Sequence, residues 1–115
     1  VYASNVYPAF LRAFERFEFV VAPTAQVFPF DAALTWPKSV GGVESDTYHR
    51  WMEIVTPFTL AGLPTLNVGA GFSGEGLPMG LQIAGPAHAD MAVLRLGHAY
   101  DLACGWGNLK PSAIA

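Results

Sequence analysis

Apolar positions along this chain fall into clusters with two different periods, and each period predicts an element. In residues 5–18, NVYPAFLRAFERFE, Tyr7, Phe10, Leu11, Phe14 and Phe17 recur at intervals of three and four. That spacing makes one apolar helical stripe, with Arg12, Glu15, Arg16 and Glu18 on the other side. Residues 19–22, FVVA, form a short continuous apolar run closed by Pro23, which predicts a buried strand. Residues 24–43 carry Pro29, Pro37 and Gly41-Gly42 and read as an irregular extended loop. Ser45 or Asp46 is placed to cap a second helix running to about Val55. Pro57 breaks it, Thr56 caps a further short turn over PFTLA, and Gly62 and Pro64 end that turn. Strands follow at 65–69 and 79–84, then a helix at 90–104. Its apolar face is Ala92, Val93, Leu96, Ala99, Tyr100 and Ala103. Asp90 lies at the positive end of its dipole, Gly105 stands just past its end, and Trp106 is able to fold back on the last turn. The tail GNLKPSAIA reads as loosely held.

The stretch 66–85, LNVGAGFSGEGLPMGLQIAG, admits two readings. Gly69, Gly71 and Gly74 match the spacing of a dinucleotide-binding turn, which requires a helix immediately after the glycines. Here Glu75, Gly76, Leu77, Pro78 and Gly80 follow, and two glycines with a proline do not open a helix. The hairpin reading accounts for more residues: a glycine- and proline-rich loop of roughly eight residues joins two apolar runs as antiparallel neighbours. Gly71-Phe72-Ser73 also begins a nucleophile elbow, G-x-S-x-G. Glu75 stands at its last position and no helix follows, so Ser73 reads as a solvated loop serine.

Composition changes the picture in one respect. The chain of 115 residues is 52% hydrophobic and 13% charged, against ~25% charged in an average domain. A small body needs more polar cover, not less. The chain is therefore expected to be a piece of something larger or an oligomer, and the absence of an initiating Met fits a start within a longer protein. Net charge is −3 and the six Lys/Arg are scattered, which argues against nucleic acid as a partner. No apolar run has the ~18–20 residues that cross a membrane, and the N-terminus lacks the charged start of a signal peptide. The single Cys104 rules out an internal disulfide framework and suits a reducing cytoplasm.

Chemical candidates are isolated ones. His49 and Glu53 stand four apart but lack a third metal ligand, so they read as a surface pair. His88 and His98 read as solvated or capping, Asp31, Glu44 and Asp46 as loop or cap carboxylates, and Cys104 as a small packed residue whose thiolate the helix dipole opposes. No metal site, no cofactor site and no catalytic constellation closes within the chain.

Three stretches taken together carry a resemblance: FEFVVAPTAQVFPFD (17–31), WMEIVTPFTLAGLPTLNVGAGFSGEGLPMGLQIAG (51–85) and DMAVLRLGHAYDLACGW (90–106). In order and spacing they resemble the C-terminal portion of amidase-signature enzymes. That family has a strand ending in Pro-Thr, a T-P-F-N-x-x-G-x-P turn, a V-P-A-G-F strand, a G-L-P-x-G-L-Q return and a final helix. Gly69 stands where the family usually has Pro, and Thr59 where it usually has Asn. The resemblance implies an α/β fold: a fragment of a large mixed sheet flanked by helices, with an antiparallel hairpin at about 65–84 and a C-terminal helix at about 90–104. Residues 1–115 would be the C-terminal segment of a single larger domain without an internal boundary. It also implies hydrolysis of carbon–nitrogen bonds by a Ser–cis-Ser–Lys triad and an oxyanion hole in the preceding part of the domain. Lys38 and Lys110 sit in no such motif and there is no Gly-Ser-Ser run, so no catalytic residue is expected here and the piece alone should be inactive. In the glutaminase-type members, subunits of tRNA-dependent amidotransferases, an acid seven places before the Asn grips the substrate's amino group. That position here is Met52. A thioether does not pair with an ammonium ion, which implies an apolar or aromatic amide, with Trp51, Met52, Phe58 and Thr59 as pocket candidates. The partners implied are the small amide, the missing N-terminal segment or a second copy of the chain. A non-enzymatic reading stands beside this one, a small interaction module binding a partner chain through exposed apolar surface.

Overall fold

A computed structural model describes residues 3–109. Helix α1 (Ala3–Phe14) leads into strand β1 (Val20–Pro23), followed by a two-stranded ribbon of β2 (Ser39–Val40) and β3 (Val43–Glu44). A 3-10 turn (Arg50–Met52), helix α2 (Thr56–Ala61), the hairpin strands β4 (Thr65–Phe72) and β5 (Pro78–Ala84), helix α3 (Asp90–Cys104) and a last 3-10 turn (Trp106–Asn108) complete the chain. The expected strands pair as an antiparallel hairpin, Leu66 opposite Ile83 and Asn67 opposite Gln82, with a bulge between Gly69 and Gly71. β1 adds to the other edge of β5, giving the order β1-β5-β4.

The alternation of side chains sorts the sheet into two faces. Val20, Ala22 and Ala84 share one face and join Phe58 and Leu63 in a core closed by Phe10 and Phe14 of α1. Leu66 and Ile83 share the other, under α3. Gly97 is what lets α3 come so close, since a Cβ there would lie 2.0 Å from Leu66 Cδ2. The packed face of α3 is accordingly Val93, Leu96, Gly97 and Tyr100, while the expected Ala92, Ala99 and Ala103 are exposed.

Several expectations are corrected. The α1 helix ends at Phe14 rather than 18, its last turn closed by Phe17 N–H to Ala13 O at 3.0 Å. Phe10 and Phe14 pack on the core, Val6 and Ala13 are half-buried, and Tyr7, Leu11 and Phe17 are exposed. Among the described residues β1 lies at the edge of the sheet with alternate residues exposed, where a buried strand was expected. The loop 24–43 ends in the β2–β3 ribbon, because Gly41 and Gly42, at φ 58° and 82°, make the two-residue turn that matches strand twist. The helix expected from Ser45 or Asp46 to Val55 is instead a run of turns bonded three residues back, as in Met52 N–H to His49 O at 3.1 Å. The β-branched Ile54 and Val55 disfavour a helix before Pro57, and Ile54 N–H is taken by a side chain. Thr56 is inside α2, its hydroxyl donating to Met52 O at 3.4 Å, so it caps nothing, whereas Gly62 ends α2 in the left-handed region as its sequence implied. The β4–β5 loop is 73–77, shorter than expected, and Trp106 folds back onto β4 against Phe72, beside Tyr100 of α3. Of the tail, residues 110–115 lie outside the described residues.

Candidate functional site

Pro23 ends β1, and one more ladder bond, Thr24 N–H to Gly80 O at 2.9 Å, carries the chain to the mouth of the sheet. There the segment Ala25–Phe30 turns across the ends of β4 and β5. Just beyond it the chain turns at Asp31, whose carboxylate accepts from Ala33 N–H at 2.8 Å. Between this segment, the Trp51 turn and the hairpin lies a groove of about 500 Å³. Phe28, Phe30, Trp51 and Met79 supply its apolar walls, Gly69 and Gly80 its bare strand floor, and Thr24 and Asn67 its polar side chains. The Thr24 hydroxyl donates to Asn67 Oδ1 across the floor. Phe30 meets the Trp51 indole edge-on at 5.5 Å, and Tyr48 meets its other side at 6.1 Å. Among the described residues no Asp, Glu, Lys, Arg or His lines the groove. Its chemistry is therefore that of an aromatic slot with one small polar patch, suited to a flat apolar group bearing a hydrogen-bonding function.

Two glutamines fasten the Trp51 turn to the sheet. Gln82 Nε2, on buried β5, donates to Pro23 O at 2.9 Å and Ile54 O at 3.2 Å. Gln26 Oε1 accepts from Ile54 N–H at 3.2 Å.

The sequence candidates scatter. Trp51 lines the groove. Met52 is half-buried on the same turn, outside the lining. Phe58 is only 7% exposed and packs on Phe10 at 5.1 Å in the core. Thr59 is exposed on α2, its hydroxyl donating to Val55 O at 3.4 Å. Phe28, Phe30, Met79 and Asn67 were not expected here. The sign of the first two was the i, i+2 pair of aromatics around Pro29.

Elsewhere, Glu53 bonds Arg50 Nη1 at 3.1 Å rather than His49, and Asp46 takes Arg50 Nε at 3.3 Å. Those bonds, Glu53 first, raise the Arg50 pKa. Among the described residues no three His, Cys, Asp or Glu gather as a metal site. Ser73 is a turn residue, not a free serine: its Oγ accepts from Glu75 and Leu77 N–H, both at 3.2 Å. Cys104 is exposed, not packed. Tyr100 donates to Gly69 O at 2.8 Å; burial first, then the neighbouring Cys104 thiol, raises its pKa. Among the described residues no helix is long and apolar enough to cross a membrane.

Residues 2–94 match the family model described as Amidase. The chain is 36% identical over 104 residues to a glutamyl-tRNA(Gln) amidotransferase subunit from Dehalococcoides mccartyi (strain ATCC BAA-2266 / KCTC 15142 / 195), covering 89% of this chain and 20% of the relative. It is 36% identical over 107 residues to the corresponding subunit from Brevibacillus brevis, covering 91% and 20%. The crystal structure of a bacterial aryl acylamidase of the amidase signature enzymes family superimposes with a TM-score of 0.83 at 28% identity, over 92% of this chain and 22% of that one. The chain thus spans about a fifth of the length of the curated relatives it matches.

Proposed function

The chain belongs to the amidase family, and from that membership we propose that it is the C-terminal segment of one larger domain that hydrolyses the carbon–nitrogen bond of a small apolar or aromatic amide. The reacting groups lie in the part of the domain outside this chain. A lysine, acting through a bridging serine, takes the proton of a second serine. That serine adds to the amide carbonyl, the amine leaves protonated, and water releases the acid. This chain contributes one wall of the substrate site and no catalytic residue, works without a cofactor, and alone is inactive. Its partners are the preceding segment and the amide, in a reducing cytoplasm.

The observation that supports this substrate class is the lining of the groove: Phe28, Phe30, Trp51 and Met79 around Thr24 and Asn67, with no charged group among the described residues. The bacterial aryl acylamidase that superimposes on the chain favours the same choice. Met52, where the resemblance puts an acid in glutamine-specific members, argues against an amino-bearing substrate. Trp51 is the groove residue of the four pocket candidates. Phe58 backs the turn from the core, and Met52 and Thr59 border the site once the rest of the domain is in place.

The test is a substrate panel on the full-length protein: an anilide, a short aliphatic amide and free glutamine. The anilide is expected to have the highest kcat/KM, and Met52→Asp to shift preference toward amino-bearing amides. Glutamine as the best substrate, or a Met52→Asp enzyme with unchanged preference, would count against this reading.

A further inference from the structure

Resting on the amidase reading for the nature of the substrate, we propose that Gln82 and Gln26 are positioning residues that fix the Trp51 wall and so set the groove's preference for aromatic amides.

Gln82 is 5% exposed, beside Ile83 and Ala84 on the most buried part of β5. A primary amide at such a place is costly unless its protons are paired, and a leucine or methionine would carry no such cost. Both Nε2 bonds run to backbone carbonyls on segments far away in sequence: Pro23 O at 2.9 Å and Ile54 O at 3.2 Å. Gln26 Oε1 takes the other backbone group of Ile54, its N–H, at 3.2 Å. The peptide groups on both sides of Ile54 are therefore held by side chains rooted on β5 and just after β1.

Trp51 needs that hold. Its Nε1 is buried and has no hydrogen-bond partner among the described residues. Among the described residues no polar contact orients the indole. Edge contacts to Phe30 and Tyr48, and the backbone that carries it, do so. That backbone is a 3-10 turn followed by Val55 N–H to Met52 O at 3.2 Å, a geometry weaker than an α-helix. Loosen Ile54 and the turn is free to shift the indole out of the groove wall, whereas the strand floor stays where β4 and β5 put it.

The experiment uses the full-length protein with Gln82→Leu, Gln82→Glu and Gln26→Leu, assayed on an anilide and on a short aliphatic amide. Gln82→Leu is expected to raise the anilide KM about tenfold, with kcat and the aliphatic KM within about twofold. Gln82→Glu, whose carboxylate cannot donate, should behave alike. Equal KM changes for both amides, or none for either, would overturn the proposal. A merely structural role would move both together. Should Gln82→Leu not fold, Gln26→Leu carries the same test, since it removes only the acceptor of Ile54 N–H. A second readout does not depend on turnover: the fluorine resonance of fluorotryptophan at position 51, assigned with Trp51→Phe. It should shift and broaden in Gln82→Leu and in Gln26→Leu. If the unaltered protein hydrolyses no amide, the amidase reading fails and this resonance still decides the clamp; an unchanged resonance in both variants overturns it.

Discussion

Gly97 and Tyr100 set how α3 sits on the sheet. At an exposed helical position Gly→Ala stabilises by about 1 kcal/mol. At Gly97 the new Cβ would meet Leu66 Cδ2 at 2.0 Å, and forcing a packed side chain aside costs about 1–3 kcal/mol. Leu66 Cδ2 is the far end of a flexible, half-buried side chain that can turn aside, so the two terms nearly cancel and Gly97→Ala should leave the melting temperature of the full-length protein nearly unchanged; a large drop would mean that Leu66 has no room to move. Tyr100 gives a pH signature. Its pKa is raised, chiefly by burial, while it donates to Gly69 O. A phenol that holds its proton more tightly when folded contributes fully below its ordinary value of about 10, and that contribution is lost as pH rises through the raised folded value. Stability measured from about pH 9 to 11.5 should therefore fall, and fall less steeply in Tyr100→Phe. Neither residue stood out in the sequence. A glycine in a helix and a tyrosine on a stripe take their meaning from what faces them across the sheet.

At the scale of elements, the hairpin depends on a short loop rather than on long strands alone. Ser73 Oγ accepts two backbone N–H groups, those of Glu75 and Leu77, and Ser73 N–H reaches back to Leu77 O at 2.8 Å. Ser73→Ala should cost about 1 kcal/mol for these modest bonds, read by chemical denaturation of the full-length protein. An unchanged midpoint would make the loop passive. The hairpin and α3 were legible in the sequence because period, turn residues and caps all agreed there. Residues 45–55 were not legible. Their caps and apolar spacing suit a helix, yet ties to Gln26 and Gln82, and the packing of Tyr48 and Trp51 against Trp36 and Phe30, hold them in turns. Long-range hydrogen bonds of that kind leave no mark in local spacing. The groove was half legible for the same reason. Trp51 was anticipated, but Phe28, Phe30 and Met79 are brought to it by two other segments, the loop after β1 and the start of β5.

Taken whole, the molecule is a slab of 42 × 39 × 20 Å with a radius of gyration of 16.0 Å, where a compact domain of this length would have about 13 Å. No large side chain among the described residues is fully buried, and Leu102 on the outer face of α3 is 74% exposed. A trough along α1, lined by Val6, Ala9, Phe10 and Ala13, stands open, and within the described residues β1 and β4 are the edges of the three-stranded sheet. Free edges and apolar faces of this extent call for cover, which the rest of an amidase domain would supply. On the proposed function, this chain shapes the substrate site while the chemistry comes from the remainder of the domain. The most direct measurement is complementation: this chain and the remaining part of the same protein are produced as separate polypeptides, and anilide hydrolysis is followed for each alone and for the mixture. Hydrolysis is expected only in the mixture, together with a stable complex of the two. Hydrolysis by this chain alone, or a stable complex that turns over no amide, would contradict it.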